Sequence, residues 1–391
     1  MSRALKRVYV SGGGVLVGGV HSAGKLWEAV LKNELLKGRS HDREELSSLA
    51  AVCSADASIL GRHQLLALAV VESAWRSAGL SDQRNRLRGE GSRMRHARFG
   101  CVSGTSIGGL AAMEEDVAEN VRLSPYALSR WRANSVGAVT SLRYGLGGAD
   151  FSVNSASATG AQALFIGASM IRSEMTDAVV VVAADPFPTP RILETMTRNG
   201  SVAKGAESLP LSSGRSGMTP VEGAGCLILE SEEHLDARGG VPLAEWIGGE
   251  CANEAYHLMA PDDKAAVLEK VLADCVSGKD QIDWISLHAT GTPRFDRAEI
   301  SALKRFFGKR LPWITAFKRI TGHALGASGL IEAALLCQGL KTGEVPPWPE
   351  ETDPALGLSD LIPSQKPVPR MALQVAQGMG GTVVVNLLRS Y

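Results

Sequence analysis

The stretch NSASATGAQALFIGASMIRSEMTDAVVVVAA, residues 154–184, decides the fold. It holds a small-residue turn closed by Gly160, a segment AQALFIGASMIR that is apolar nearly all round, and a run AVVVVAA. A helix apolar on every side has no face for water and belongs inside a larger body. A strand apolar on both faces belongs to a sheet covered on both sides. The stretch therefore predicts a helix over Ala158–Arg172 and a buried strand over Ala178–Ala184, in an α/β architecture.

The same alternation continues outward. Strands are expected at Arg7–Ser11, followed by a Gly-rich turn, at Ile282–Leu287, in WITAF (313–317) and at Thr382–Leu388. Helices are expected at Leu65–Ser77 and Ala327–Leu340. Such a pattern signals parallel strands joined by crossover helices. A chain of 391 residues is too long for one small core, so one large or two fused α/β units is the expectation. The segment Glu233–Gly240 ends in paired glycines and marks the candidate boundary, giving a longer part, 1–240, and a shorter one, 241–391. No repeat of about 20–50 residues is visible, which sets solenoids and propellers aside.

Lys plus Arg and Asp plus Glu both number 41, so no global field draws in nucleic acid or an anionic membrane. With 45% hydrophobic and 21% charged residues the chain has a core-forming composition rather than a disordered one. Cys53, Cys101, Cys226, Cys251, Cys275 and Cys337 form no CxxC pair and join no histidine cluster, which argues against disulfides and a structural metal and makes a reducing cytoplasm the natural home. Met1–Val20 is basic and then apolar, but glycines interrupt it, so it reads as a first strand rather than a leader. Between Asp82 and Arg98 lie Arg84, Arg86, Arg88, Arg93, Arg95 and Arg98 against only Asp82 and Glu90. Such a run reads first as a solvated loop and second as a docking patch for an acidic partner.

Four turns carry the chemistry. In Asn154-Ser-Ala-Ser157-Ala-Thr-Gly160, the side chain at 157 falls at a helix N-terminus, where unpaired N–H groups favour developing negative charge. Taken alone, Ser157 reads first as an ordinary N-cap. His288-Ala-Thr-Gly-Thr292-Pro293 follows the strand IDWISL, at the kind of strand end where functional side chains gather, and His288 reads equally well as a satisfied core histidine. Lys318-Arg-Ile-Thr-Gly322-His323-Ala-Leu-Gly326 supplies a lysine and a second histidine, and Gln377-Gly-Met-Gly-Gly381-Thr382 supplies backbone able to approach a ligand.

With these motifs in hand, the sequence resembles a β-ketoacyl-acyl carrier protein synthase (ketosynthase) of the thiolase superfamily along essentially its whole length. The Gly-Thr-Ser-Ile-Gly-Gly run at 104–109, Arg143-Tyr144-Gly145, the elbow at 157, Val221-Glu222-Gly223-Ala224-Gly225, HATGT with Asp296 and Glu299 behind it, KRITGH and GMGGT come in the family's order and spacing. The resemblance implies two βαβαβαββ halves in a five-layered α-β-α-β-α fold, with dimers paired through the N-terminal half. Position 157 matches the acyl-accepting cysteine, and His288 and His323 match the histidines that hold the thioester oxygen of malonyl-carrier protein and stabilise its enolate. Lys318 and Glu222 match a buried ion pair, Asp296 and Glu299 the supporting acids, and Thr290, Thr292, Gln377, Met379 and Gly380 the pocket and its gate. Implied with these are an acyl carrier protein whose phosphopantetheine delivers the substrate, a homodimer or a heterodimer with another ketosynthase, and no bound cofactor, metal, nucleic acid or membrane.

The chief departure is serine at 157. A thiol starts near pKa ~8.5 and ionises readily at a helix N-terminus, whereas an alcohol needs a general base. The gate differs too, with Met379 where the family usually has Phe and Gln377 where another Phe is common. Leu211-Ser212 replaces the usual Phe-Asp before Arg215-Ser-Gly217, removing an acid from the local ion network. Four accounts follow: an acyltransferase or condensing enzyme slowed by Ser157, a non-condensing partner like a chain-length factor, a malonyl-carrier decarboxylase, or an ordinary ketosynthase with serine substituted for its natural cysteine.

Overall fold

The computed structural model describes residues 5–36, 40–81, 83–87, 93–118, 123–205, 209–308, 310–361 and 363–391. Ten strands make one mixed sheet: β1 (Val8–Val17), β2 (Phe99–Gly104), β3 (Asp150–Val153), β4 (Ala178–Asp185), β5 (Gly223–Ser231), β6 (Ala244–Asn253), β7 (Trp284–Ser286), β8 (Trp313–Thr315), β9 (Met371–Gly378) and β10 (Thr382–Arg389). Their order is β3-β2-β4-β5-β1-β6-β10-β9-β7-β8, so the last five strands repeat the arrangement of the first five in mirror order. The two sets join where β1 and β6 pair antiparallel over Val8–Val10.

Helices complete five layers. The Arg62–Ser77 helix covers the outer face of the first set against β1, β4 and β5, and the helices Ala266–Cys275 and Pro293–Phe307 cover the outer face of the second. Between the sets lie the Thr159–Arg172 and Ser328–Thr342 helices. Leu164, Leu330, Leu335 and Leu336 in these central helices are fully buried, each worth about 1.5–3 kcal/mol. That layer explains why the 159–172 segment is apolar nearly all round. Among the described residues no helix is long and apolar enough to cross a membrane, and all six cysteines are free thiols.

Three expectations need correction. The glycines at 12–14 form no turn but lie inside β1, because the first strand must run against the Arg62–Ser77 helix. A Cβ on Gly14 would sit 2.1 Å from the Val70 carbonyl oxygen. The sheet is also not uniformly parallel, since β5 and β10 run antiparallel to both neighbours. The run at 382–388 is apolar on both faces because helices cover both faces, whatever the strand direction. Finally, the arginine-rich segment is partly built into the fold. Arg84 is buried against Glu72, over the rings of Trp75 and Tyr144, and Arg98 pairs with Asp177. Asp82, Arg88 and Glu90 lie outside the described residues.

Gly14→Ala tests the packing of β1. Forcing a methyl group into that contact should cost about 1–3 kcal/mol. The urea midpoint should drop with the slope unchanged, and an unshifted midpoint would show that the strand and helix are not in close contact.

Candidate active site

The turn between β3 and the Thr159–Arg172 helix is a strained elbow. Ala156 takes a left-handed φ of +50°, a conformation costing a non-glycine residue about 1–3 kcal/mol. Thr159 holds the elbow: its hydroxyl accepts from the Ser155 N–H at 3.0 Å and donates to the Ala156 carbonyl at 2.7 Å. A single 3₁₀ turn, Ala156–Ala158, precedes the helix, and no side chain caps it. Ser157 is therefore not the N-cap, and its hydroxyl faces the second half of the chain.

There His323 meets it. The His323 Nε2 lies 3.0 Å from Ser157 Oγ, and its Nδ1 lies 2.9 Å from Ser328 Oγ at the start of the Ser328–Thr342 helix. Burial, followed by the nearby Lys318 charge, pushes His323 well below the usual histidine range, so the ring is neutral near pH 7. One nitrogen then accepts and the other donates, and the Ser328 hydroxyl can serve either tautomer. The His288 ring stands perpendicular to His323 with centroids 6.1 Å apart, and burial likewise pushes its pKa well down. Ser157, His288 and His323 line one cavity of about 200 Å³ together with Thr290, Thr292, Gln377 and Met379. Gly380, expected at the gate, does not line it. That residue makes the β9–β10 turn at φ +96° and accepts from Asn253 Nδ2 at 2.9 Å.

The two central helices meet at glycines. A Cβ on Gly160 would lie 2.8 Å from the Leu330 nitrogen, and one on Gly329 would lie 2.5 Å from the Ala161 nitrogen. Only a pair of glycines lets the two N-terminal ends, one beside Ser157 and the other beside His323, come this near.

Buried acids and one lysine fix the loops. Glu299 accepts the backbone N–H groups of His288 and Ala289 at 2.6 and 2.9 Å. Lys318 Nζ donates to the His288 carbonyl at 2.7 Å. Its ion-pair partner is Glu332, not the expected Glu222. The Val221 N–H donates to the His323 carbonyl at 3.0 Å, and the neighbouring Glu222 pairs instead with Arg62, at the start of the Arg62–Ser77 helix. Asp296 accepts from the backbone of Leu211 at 2.9 Å and Gly291 at 3.2 Å, and lies 3.6 Å from Arg215. Arg215 also pairs with Asp353 at 2.8 Å, which supplies the acid missing at Ser212. Burial raises Asp296 to about 6 and Glu299 to about 8.

Three participants went unnoticed in the sequence. Asp185, fully buried at the end of β4, accepts from Thr105 Oγ1 and the N–H groups of Ser106, Ile107 and Gly326, each at 2.8 Å. It ties the 104–109 loop to the loop after His323, and burial lifts its pKa to about 6. An acid closing an otherwise apolar strand was its available signal. Ser328 and Glu332 could have been read as the two polar residues in the otherwise apolar first ten positions of their helix, Ser328–Cys337.

A layered α/β fold that turns a helix-terminal hydroxyl towards two neutral histidines defines a condensing-enzyme class of site. The chain belongs to the β-ketoacyl synthase family: residues 40–234 match "Beta-ketoacyl synthase, N-terminal domain" and residues 244–350 match "Beta-ketoacyl synthase, C-terminal domain". It is 32% identical over 308 residues to 3-oxoacyl-[acyl-carrier-protein] synthase 2 of Vibrio harveyi, covering 73% of this chain and 74% of that one. It is 28% identical to nodulation protein E of Rhizobium meliloti (strain 1021), covering 97% and 98%. The solved ishigamide ketosynthase/chain length factor shares the fold, with a TM-score of 0.82 at 23% identity over 99% of this chain and 100% of that one.

Glu299 makes the site's pH dependence testable. Between its ordinary 4.5 and about 8, the folded chain keeps a proton on Glu299 that the unfolded chain has released. Its contribution to stability therefore falls as pH rises. Glu299→Gln removes that titration, so the melting temperature of wild type minus that of E299Q should fall from about pH 5 to about pH 8. A flat or rising difference would contradict the assignment.

Proposed function

We propose that the chain transfers acyl groups from acyl carrier protein to Ser157 and condenses them slowly, in fatty acid or polyketide synthesis. The observation that carries this reading is the 3.0 Å contact between Ser157 Oγ and His323 Nε2, backed by Ser328 on the other ring nitrogen. Nucleophile, base and orienting hydroxyl are in hydrogen-bond reach, as an alcohol nucleophile requires. As Oγ attacks the thioester carbonyl, His323 takes its proton and passes it to the departing phosphopantetheine thiolate, leaving an oxoester on Ser157. In the second step malonyl-carrier protein loses carbon dioxide, and N–H donors of His288 and His323 stabilise the enolate oxygen. Each such donor is worth a factor of about 10²–10³. The enolate carbon then attacks the oxoester carbonyl, and the departing Ser157 alkoxide takes the proton on His323 Nε2, which solvent replaces. Because an oxoester is a poorer electrophile than a thioester, this last step is the slow one.

In this reading residues 1–240 provide the nucleophile and 241–391 both histidines, a division supported by the repeated strand order. Chemistry rests on side chains, with the substrate carried on phosphopantetheine, and the free thiols agree with a cytoplasmic setting. Pairing through the N-terminal half is supported by the exposed edge strand β3 and by exposed Leu110, Met113, Leu128 and Phe151. The partner in such a dimer is a second copy or a cysteine-bearing ketosynthase. The second case is a non-condensing, chain-length-factor-like role, favoured by the exchanged gate residues and the fold likeness to a ketosynthase/chain length factor.

Intact-mass spectrometry after incubation with hexanoyl-carrier protein separates the two. Acyl transfer predicts a hexanoyl adduct on wild type, none on Ser157→Ala, and loss of at least about tenfold in rate in His323→Ala. Ser157→Cys should raise the condensation rate by at least about tenfold. A clean wild type, together with full product formation by a co-purifying ketosynthase and Ser157→Ala, would instead establish the partner role.

A further inference from the structure

Gln377 is the last side chain before the β9–β10 turn and only 2% exposed, yet its Nε2 has no hydrogen-bond partner. It lines the cavity that holds Ser157, His288 and His323. The wall also carries Asn199, Ser201, Thr290 and Thr292, but the Gln377 amide nitrogen hydrogen-bonds to none of them, and Met218, Met259, Phe295 and Met379 offer at most a weak acceptor. A buried N–H left unpaired costs about 1–3 kcal/mol, and one facing a ligand cavity makes the ligand responsible for satisfying it. The backbone fixes where that donor stands. A Cβ on the next residue, Gly378, would lie 2.1 Å from the Ser155 carbonyl oxygen, so residue 377 is held beside the elbow that carries Ser157.

Building on the acyl-transfer reading, we propose that Gln377 is a specificity-determining residue that donates a hydrogen bond to an acceptor oxygen near the reactive end of the acyl chain. The site thereby selects oxygenated chains, such as 3-oxoacyl groups, over saturated ones. The amide is already shut off from solvent in the free protein, so a saturated chain leaves the donor unpaired as before, whereas a chain oxygen that reaches it supplies the missing partner. Sites built to hydrogen-bond a substrate group reject the analogue lacking it far more strongly than apolar pockets discriminate by size.

Binding rather than turnover isolates this role. The probes are hexanoyl- and 3-oxohexanoyl-pantetheine analogues in which an amide replaces the thioester, so that Ser157 cannot be acylated. Calorimetry should show wild type binding the 3-oxo analogue about tenfold more tightly than the saturated one, the effect of one hydrogen bond. In Gln377→Met, which keeps a side chain of similar length, the ratio should collapse to near one through weaker binding of the 3-oxo analogue. Equal binding of the two by wild type, or a preference that persists in Q377M, would overturn the inference while leaving the acyl-pocket reading in place. Binding of neither analogue by folded wild type would refute that reading, and the inference with it.

Discussion

Everything at the site depends on how closely two helices approach. The Thr159–Arg172 and Ser328–Thr342 helices form the middle layer, and they touch at Gly160 and Gly329, where any side chain would collide with the other backbone. That contact sets the spacing of the loops leading into both helices. One loop carries Ser157 and the other carries His323, so a packing requirement deep in the core becomes a 3.0 Å contact between reactive groups. Asp185 reinforces the arrangement by holding the 104–109 loop and the Gly326 backbone with a single carboxylate. Strain accompanies it, with positive φ at Ala156, Ala289 and Leu325, each within two residues of Ser157, His288 or His323. Such strain persists where the surrounding structure over-determines it, as the buried glycine contact and the acid-held loops do here.

The electrostatics follow from the same burial. Removing the two histidines from water favours their neutral forms, and Lys318 nearby adds to that preference. Neutral imidazoles can both accept a proton from an alcohol and donate to a developing oxyanion, the two tasks that acylation and decarboxylation set. Lys318 is not left as an isolated buried charge, since Glu332 neutralises it and the His288 carbonyl takes a second N–H. In the proposed acyl transfer, the histidine that would take the serine proton already lies within reach of the hydroxyl.

Much of this was legible in the sequence where physical signals are local. Runs such as AVVVVAA announced covered strands, and the nearly all-round apolar helix announced its own burial. Motif order identified Ser157, His288 and His323, along with Thr290, Thr292, Gln377 and Met379 on the cavity wall. What remained hidden depends on partners distant in the chain. Lys318 could have paired with any buried acid, and only folding shows Glu332 there with Glu222 drawn to Arg62. Asp353 answers Arg215 from 138 residues away, a compensation that no local pattern reveals. The glycines of β1 mimic a turn because turn glycines and close-packing glycines look alike in a sequence, and strand direction leaves no mark on a run covered on both faces.

The glycine contact can be tested against chemistry directly. In Gly329→Ala a methyl group would lie 2.5 Å from the Ala161 nitrogen, so the helices must separate by a fraction of an ångström or more. Misplacement on the scale of 1 Å costs catalysis about 10²-fold. The decisive measurement is the rate at which hexanoyl-carrier protein acylates Ser157 in this variant, with circular dichroism reporting that the fold persists. A folded G329A protein acylated about 10²-fold more slowly is the expected result. Acylation at the wild-type rate would contradict the claim that helix spacing governs the site.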